Sequence, residues 1–360
     1  MQRVILFSCL AVALCATADA QTAQELQWCI KGGQKHAGLA VKNPPSSEQT
    51  VRGCSAVIRG GKLKGVQLAS AYTIRGVTHT LLKNLDAAVQ DYDSALRLTP
   101  NSFEVLNLRG MVQVERGEVE QGLQDIRSAI QKNPKFVLAY YNLGTTLVQR
   151  DQLEAGIQAL DQTIKKDPKL GQAYLNRGWA YAKKGDYDRA IEDASAAIRL
   201  MPALIQGYMN RAAAFEKKGA YRKAEDDYSQ ALKLDEKNAS LWNARCWVRA
   251  LGGREFEAAL KDCNHSLALQ PNTRHALDSR AMVYLKAERN QEALADYDAA
   301  LRVAGYEPGM KADPELATSL YGRGVARKRQ GDQLGAAVDM AAAKAAKGTI
   351  AEEFERYGVR

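Results

Sequence analysis

The sequence predicts an all-α fold, an α-solenoid superhelix of stacked antiparallel helical hairpins, and three observations carry the prediction. Prolines 100, 134, 168 and 202 stand 34 residues apart, and Pro271 follows Pro202 by two such periods plus one residue. Five of the nine prolines therefore mark a repeat. Within each repeat, positions four, seven, eight and eleven share one helix face; in the fourth copy they are Tyr174, Arg177, Gly178 and Tyr181. After a break at Gly185-Asp186, a second helix carries Ala190, Ala194 and Ala197 at helical spacing and stops before Pro202. A small residue at position eight and Ala at position twenty let the two helices approach closely. One hairpin cannot bury its apolar faces, so the copies must stack.

Taken in order, residues 1–20 read as a secretory signal: Arg3, an apolar run from Val4 to Ala16, then an Ala18-x-Ala20 cleavage site before Gln21. The run is too short to span a bilayer. Leu14 precedes Cys15, where a lipoprotein would need a small residue. Residues 21–68 form a degenerate hairpin cap, with helices expected over 22–36 and 47–60 joined through Asn43-Pro44-Pro45-Ser46-Ser47. Eight repeat units follow, at 69–102, 103–136, 137–170, 171–204, 205–238, 239–273, 274–307 and 317–347. The sixth is one residue long near Gly252-Gly253, and Ala304 to Glu315 forms a connection; a local kink or wider spacing is expected there. Residues 348–360 form a C-terminal capping helix opened by a capping box, Thr349 with Glu352, whose Phe354 and Tyr357 close the stack.

The net charge of +9 comes with Lys and Arg alternating with Asp and Glu, which argues against a nucleic-acid partner. No H-E-x-x-H, G-x-S-x-G, P-loop or G-x-G-x-x-G occurs, and His36, His79, His265 and His275 are scattered. No cofactor or metal is expected, and no enzyme activity is supported. The Asp-Tyr-Asp triplets at 91–93 and 296–298 recur at one repeat position and read as a solvated helix face with the Tyr toward the core. Export leaves four cysteines, Cys29, Cys54, Cys246 and Cys263, and an oxidising compartment favours bridges over free thiols. Three pairings are open.

The chain resembles the tetratricopeptide repeat family. The resemblance rests on Tyr72, Gly76, Ala88, Tyr92, Ala95 and Pro100 in the first copy, on Tyr140, Leu143, Gly144 and Pro168 in the third, on Tyr174, Gly178, Tyr181, Ala190, Ala197 and Pro202 in the fourth, and on Tyr208, Phe215, Ala224, Tyr228 and Ala231 in the fifth. Gly122 and Gly156 depart from the family's Ala, and Glu236 from its terminal Pro. Cys246 and Cys263 fall at positions eight and twenty-four of one hairpin. If Cys29 and Cys54 hold the same positions in the degenerate unit, its extra 8 residues match its Pro-rich loop. Bridges Cys29–Cys54 and Cys246–Cys263 are therefore expected. A zinc site of Cys246, Cys263 and His265 has too few ligands.

The resemblance implies a concave groove that holds a partner segment, lined by the first helices. Position nine reads Val77, Met111, Thr145, Trp179, Ala213, Trp247, Met282 and Val325, without a charge; position five adds Tyr141, Leu175, Met209 and Tyr321. The family's carboxylate clamp, Lys at five with Asn at nine, is absent: those positions carry Thr73 with Val77 and Asn107 with Met111. Asn142, Asn176 and Asn210 at position six are expected to be structural. Trp179 and Trp247 are the expected anchors, and Lys183, Lys217, Lys286, Lys328 and Arg329 form a positive edge. The expected role is a periplasmic, non-catalytic scaffold or adaptor for a protein segment with apolar and acidic residues. The competing readings are an accessory to a cell-wall or polysaccharide enzyme and, behind it, an enzyme itself; for the location, the alternative to the periplasm is secretion to the extracellular space.

Overall fold

A computed structural model describes residues 20–38, 40–253, 255–307 and 309–359. Of the expected signal, residues 1–19 lie outside the described residues. The chain divides into two compact units, Met1–Ala180 and Tyr181–Arg360.

In unit 1 the hairpins are α1 (Ala20–His36) with α2 (Ser47–Arg59), α3 (Gly65–Leu81) with α4 (Leu85–Leu98), α5 (Phe103–Glu115) with α6 (Val119–Lys132), and α7 (Val137–Gln149) with α8 (Leu153–Lys166), before α9 (Gly171–Lys183). Unit 2 holds α10 (Tyr187–Leu200), then α11 (Ile205–Lys217) with α12 (Tyr221–Leu234), α13 (Ala239–Gly252) with α14 (Phe256–Leu269), α15 (Arg274–Lys286) with α16 (Asn290–Val303), and α17 (Ala317–Arg329) with α18 (Gln333–Ala346), closed by α19 (Ile350–Arg356). Among the described residues no strand occurs. The fold is an all-α solenoid.

Local chemistry sets the boundaries. Ser46 opens α2 with a reciprocal capping box to Gln49, and Ser102, Asp186, Asn238 and Asp332 accept backbone N–H groups at their helix starts. Between the two helices of a hairpin one residue at position fifteen turns left-handed. It is Gly117, Gly185, Gly219, Gly253 and Gly331 where the cost is smallest, and Lys83, Asp151 and Glu288 elsewhere. The extra residue of the sixth copy is taken up in this turn, where Glu255 is left-handed as well as Gly253. In the long connection a 3-10 turn at Pro314–Leu316 follows, and Arg274 donates to Glu315 across it.

α2, α4, α6, α8, α12, α14, α16 and α18 pack on their own first helices, and α2, α4 and α6 in unit 1 and α10, α12, α14 and α16 in unit 2 pack also on the first helix that follows. First helices also touch first helices, α3 against α1 and α5, α13 against α15, and α15 against α17. First helices thus make an inner layer. Backbones come close in α5/α6, where a Cβ built on Gly122 would lie 2.5 Å from the Gly110 carbonyl oxygen and 2.7 Å from Val114 Cγ2. Glycine at both position eight and position twenty, here and in α7/α8 with Gly144 and Gly156, lets two backbones meet, whereas the other copies place an alanine at position twenty.

Both expected disulfides are present, Cys29–Cys54 joining α1 to α2 and Cys246–Cys263 joining α13 to α14, all four cysteines fully buried. The capping box expected at Thr349 and Glu352 is not formed. Thr349 has helical rather than extended backbone angles, and its hydroxyl donates to Glu353, which also takes Lys347.

Candidate inner-face binding surface

The first helices are tied in by a ladder of mostly half-buried arginines whose aspartate partners are buried. At position seven the guanidinium forks onto an aspartate sixteen or seventeen residues on, at position twenty-three of the same hairpin: Arg75 to Asp91, Arg109 to Asp125, Arg211 to Asp227, Arg245 to Asp262, Arg280 to Asp296 and Arg323 to Asp339. In each pair Nε and Nη2 both donate, at 2.6–2.9 Å. The third guanidinium nitrogen reaches back to position twenty-five of the preceding hairpin, Arg109 to Asp93, Arg177 to Asp161, Arg211 to Ser195, Arg245 to Ser229, Arg280 to Asn264 and Arg323 to Asp298. One side chain therefore ties two helices of its own hairpin and the hairpin before it.

This corrects the reading of the Asp-Tyr-Asp triplets. Asp91 and Asp296 are buried, and each triplet gives one carboxylate to its own hairpin and the other to the next. The Tyr92 and Tyr297 rings are fully buried between them. The ladder was visible in the sequence as Arg and Asp recurring in step, but the Asp positions read as a solvated helix face until the facing arginine is known.

In unit 1, Met111, Tyr141, Thr145 and Leu175 are half-buried on the inner layer and Trp179 is 40% exposed. Val77 is buried in the core shared by α3 to α7 and offers no surface. The Asn176 amide donates to the Tyr141 hydroxyl at 3.2 Å and to Thr145 at 3.0 Å, and Asn142 donates to Asn107 at 3.0 Å. These asparagines link neighbouring first helices, which orients Tyr141 and Thr145.

In unit 2 the expected surface is largely consumed. Met282 and Val325 are core residues. Met209 is half-buried against the α11–α13 core, while Ala213 and Lys217 are exposed, as is Lys183. Trp247 is half-buried: its indole Nε1 donates to Glu216 at 3.1 Å, and its ring meets Tyr357 edge-on at 5.5 Å. Tyr321 packs on Phe354 with ring centroids 4.8 Å apart. Lys286 is not part of a positive edge; its ammonium donates to the carbonyls of Tyr357 at 2.6 Å and Leu251 at 3.1 Å. Arg329 donates to the Leu285 carbonyl, leaving Lys328 exposed beside it. Sequence reasoning missed Glu216, whose carboxyl is pushed up by burial and only partly relieved by the Trp247 N–H.

Among the described residues no cluster of three or more His, Cys, Asp or Glu is placed to hold a metal, and no helix is long and apolar enough to cross a membrane.

Tetratricopeptide repeat models match residues 69–102, 107–170, 141–204 and 205–238. Among solved structures the chain is similar to a tetratricopeptide repeat protein from Parabacteroides merdae, at 20% identity and TM-score 0.57 over 71% of this chain and 99% of that one. It is similar also to the C-terminal part of a repeat protein from Cytophaga hutchinsonii, at 17% identity and TM-score 0.55 over 65% and 94%, and to Pseudomonas aeruginosa PilF, at 17% and 0.53 over 59% and 96%. These likenesses speak to the fold. With the 34-residue repeat, the stacked hairpins and the family models in agreement, the chain is a tetratricopeptide repeat protein, of a fold that serves as a scaffold for protein–protein interaction.

Proposed function

We propose that the protein is an exported, non-catalytic adaptor of the cell envelope that grips a partner protein segment on the inner face of unit 1. The observation that carries this is the uncharged, partly exposed row Met111, Tyr141, Thr145, Leu175 and Trp179 on a layer where a solvated face would be charged. Tyr and Trp supply large contact area at low entropic cost, and Trp179 is the anchor. Export is supported by the leader-like residues 1–20 and by two disulfides at buried positions, which persist in an oxidising compartment.

The test is site-specific photo-crosslinking in envelope extracts, from position 179 and position 141, with position 98 at the outer end of α4 as control. One recurrent partner segment is expected from the two inner positions and not from 98. Trp179→Ala with Leu175→Ala should lower its capture at least tenfold with unchanged circular dichroism. Equal crosslinking at position 98, or capture that survives the double substitution, would rule the surface out.

A further inference from the structure

The C-terminal segment of unit 2 does more than cover the last hairpin. A cap needs to bury only the open apolar face of α17 and α18, which Ile350, fully buried, begins; Phe354 goes on to pack on Tyr321 of α17. Beyond the end of α19 the chain continues onto the inner layer. Tyr357 reaches Trp247 on α13, two hairpins back. Lys286 on α15, one hairpin back, holds the Tyr357 carbonyl at 2.6 Å. Gly358 is left-handed and reverses the chain, so that the Val359 N–H returns to the Phe354 carbonyl at 2.9 Å and the Val359 side chain enters the core.

The residues that receive this segment are those on which a ligand would act. Trp247, Tyr321 and Lys286 stand at positions nine, five and thirteen, the same inner-layer register that stays partly open in unit 1. Among the described residues the Lys286 ammonium meets no carboxylate; it faces two carbonyl oxygens, one of them at the C-terminal end of α19, where a cation meets the negative end of the helix dipole. Burial pulls its pKa down. Glu216 on α11 fixes the Trp247 indole from the far side.

We propose that the inner face of unit 2 is a binding site for a short helical turn carrying two aromatic residues three apart, followed by a glycine reversal. The chain's own Phe354-Glu355-Arg356-Tyr357-Gly358-Val359 occupies it in cis, and a partner bearing the same aromatic-x-x-aromatic turn enters by displacing it. Trp247 and Tyr321 read the two rings, and Lys286 reads the free carbonyl at the end of the turn. This extends the adaptor reading to a second surface, gated by the C-terminus.

The probe is a fluorescein-labelled peptide of residues 349–360, added to the full mature chain and to a chain ending at Gly348. The shortened chain is expected to bind it saturably and at least tenfold more tightly than the full chain. A peptide with Phe354→Ala and Tyr357→Ala, or Trp247→Ala in the shortened chain, should lose that binding. Equal binding by both chains, or none by a shortened chain with retained helical circular dichroism, would overturn the proposal. So would concentration-dependent dimerisation of the full chain through exchanged tails, because the occupant would then be a second copy. Should the shortened chain not fold, amide exchange in the full chain decides: amides of 353–359 are expected to exchange at least tenfold faster than those of α17. Exchange of both at one rate would show that the segment leaves only when the unit unfolds. No cellular partner enters this assay, so its outcome is independent of the crosslinking from position 179.

Discussion

Arg211 on α11 and Asp227 on α12 face each other as a two-bond fork, Nε to Oδ2 at 2.8 Å and Nη2 to Oδ1 at 2.6 Å, while the remaining nitrogen crosses to Ser195 on α10. Asp227 is buried. The pair is a joint between hairpins, and the protein contains its own control: in α7/α8 the two positions are Leu143 and Ala159, an apolar pair in the same place.

That comparison sets the first prediction. Arg211→Met strands a buried carboxylate and is expected to cost about 3–5 kcal/mol, whereas Arg211→Leu with Asp227→Ala, the pair found in α7/α8, should regain most of the loss. Urea unfolding of the three chains measures both. A single substitution as mild as the double one would mean that the fork contributes little.

A second prediction concerns Gly122. Alanine is the better helix former by about 1 kcal/mol and stands at this position as Ala88, Ala190 and Ala224 in other copies. Its methyl would nevertheless meet the Gly110 carbonyl at 2.5 Å, backbone that moves only with its helix. Gly122→Ala should therefore destabilise by about 2 kcal/mol, the scale of an overpacked core. Thermal unfolding should show a lower midpoint; an unchanged or higher one would mean α5 and α6 can separate at little cost.

Asp278 supplies a pH dependence. It is buried on α15, and burial pushes its carboxyl up to about 6, against the Ser319 hydroxyl donating at 2.6 Å and the charge of Arg274; the carboxylate of Asp296 adds to the rise. A raised folded-state pKa means the folded chain prefers the protonated acid. The associated stability is complete below the unfolded value near 4 and is lost as pH rises through about 6, on the order of 3 kcal/mol for a group shifted this far. Asp278→Asn keeps an acceptor for Ser319 but cannot ionise, so stability measured from pH 4 to 8 should lose this slope. An identical slope in the variant would assign it elsewhere.

The disulfides make the fourth case. Cys246–Cys263 closes a loop of 17 residues and Cys29–Cys54 one of 25, each worth about 3 kcal/mol through restriction of the unfolded chain. Cys246→Ala matches Ala212 and Ala281 at position eight and Cys263→Ala matches Ala194 at position twenty-four, so the double substitution should lower the melting temperature without changing the helical signal. Because both sulfurs are buried, reduction should proceed at the rate of local unfolding, which timed alkylation follows.

What the sequence determined alone is whatever repeats. A 34-residue period of prolines, small residues and apolar faces states one hairpin eight times, and both bridges follow once Cys246 and Cys263 are placed in that register. The Arg–Asp joints were equally periodic, yet their meaning was hidden, because a charged residue looks solvated until a partner sixteen residues away is known to face it. Tertiary structure alone decided which inner positions stay open. Val77 and Met282 share a register with Met111 and Trp179, but packing buries the first two and leaves the others partly exposed. The fate of Trp247, Tyr321 and Lys286 was out of reach for a simpler reason: their partner is the C-terminal segment, which belongs to no repeat and reaches them only after the hairpins have stacked.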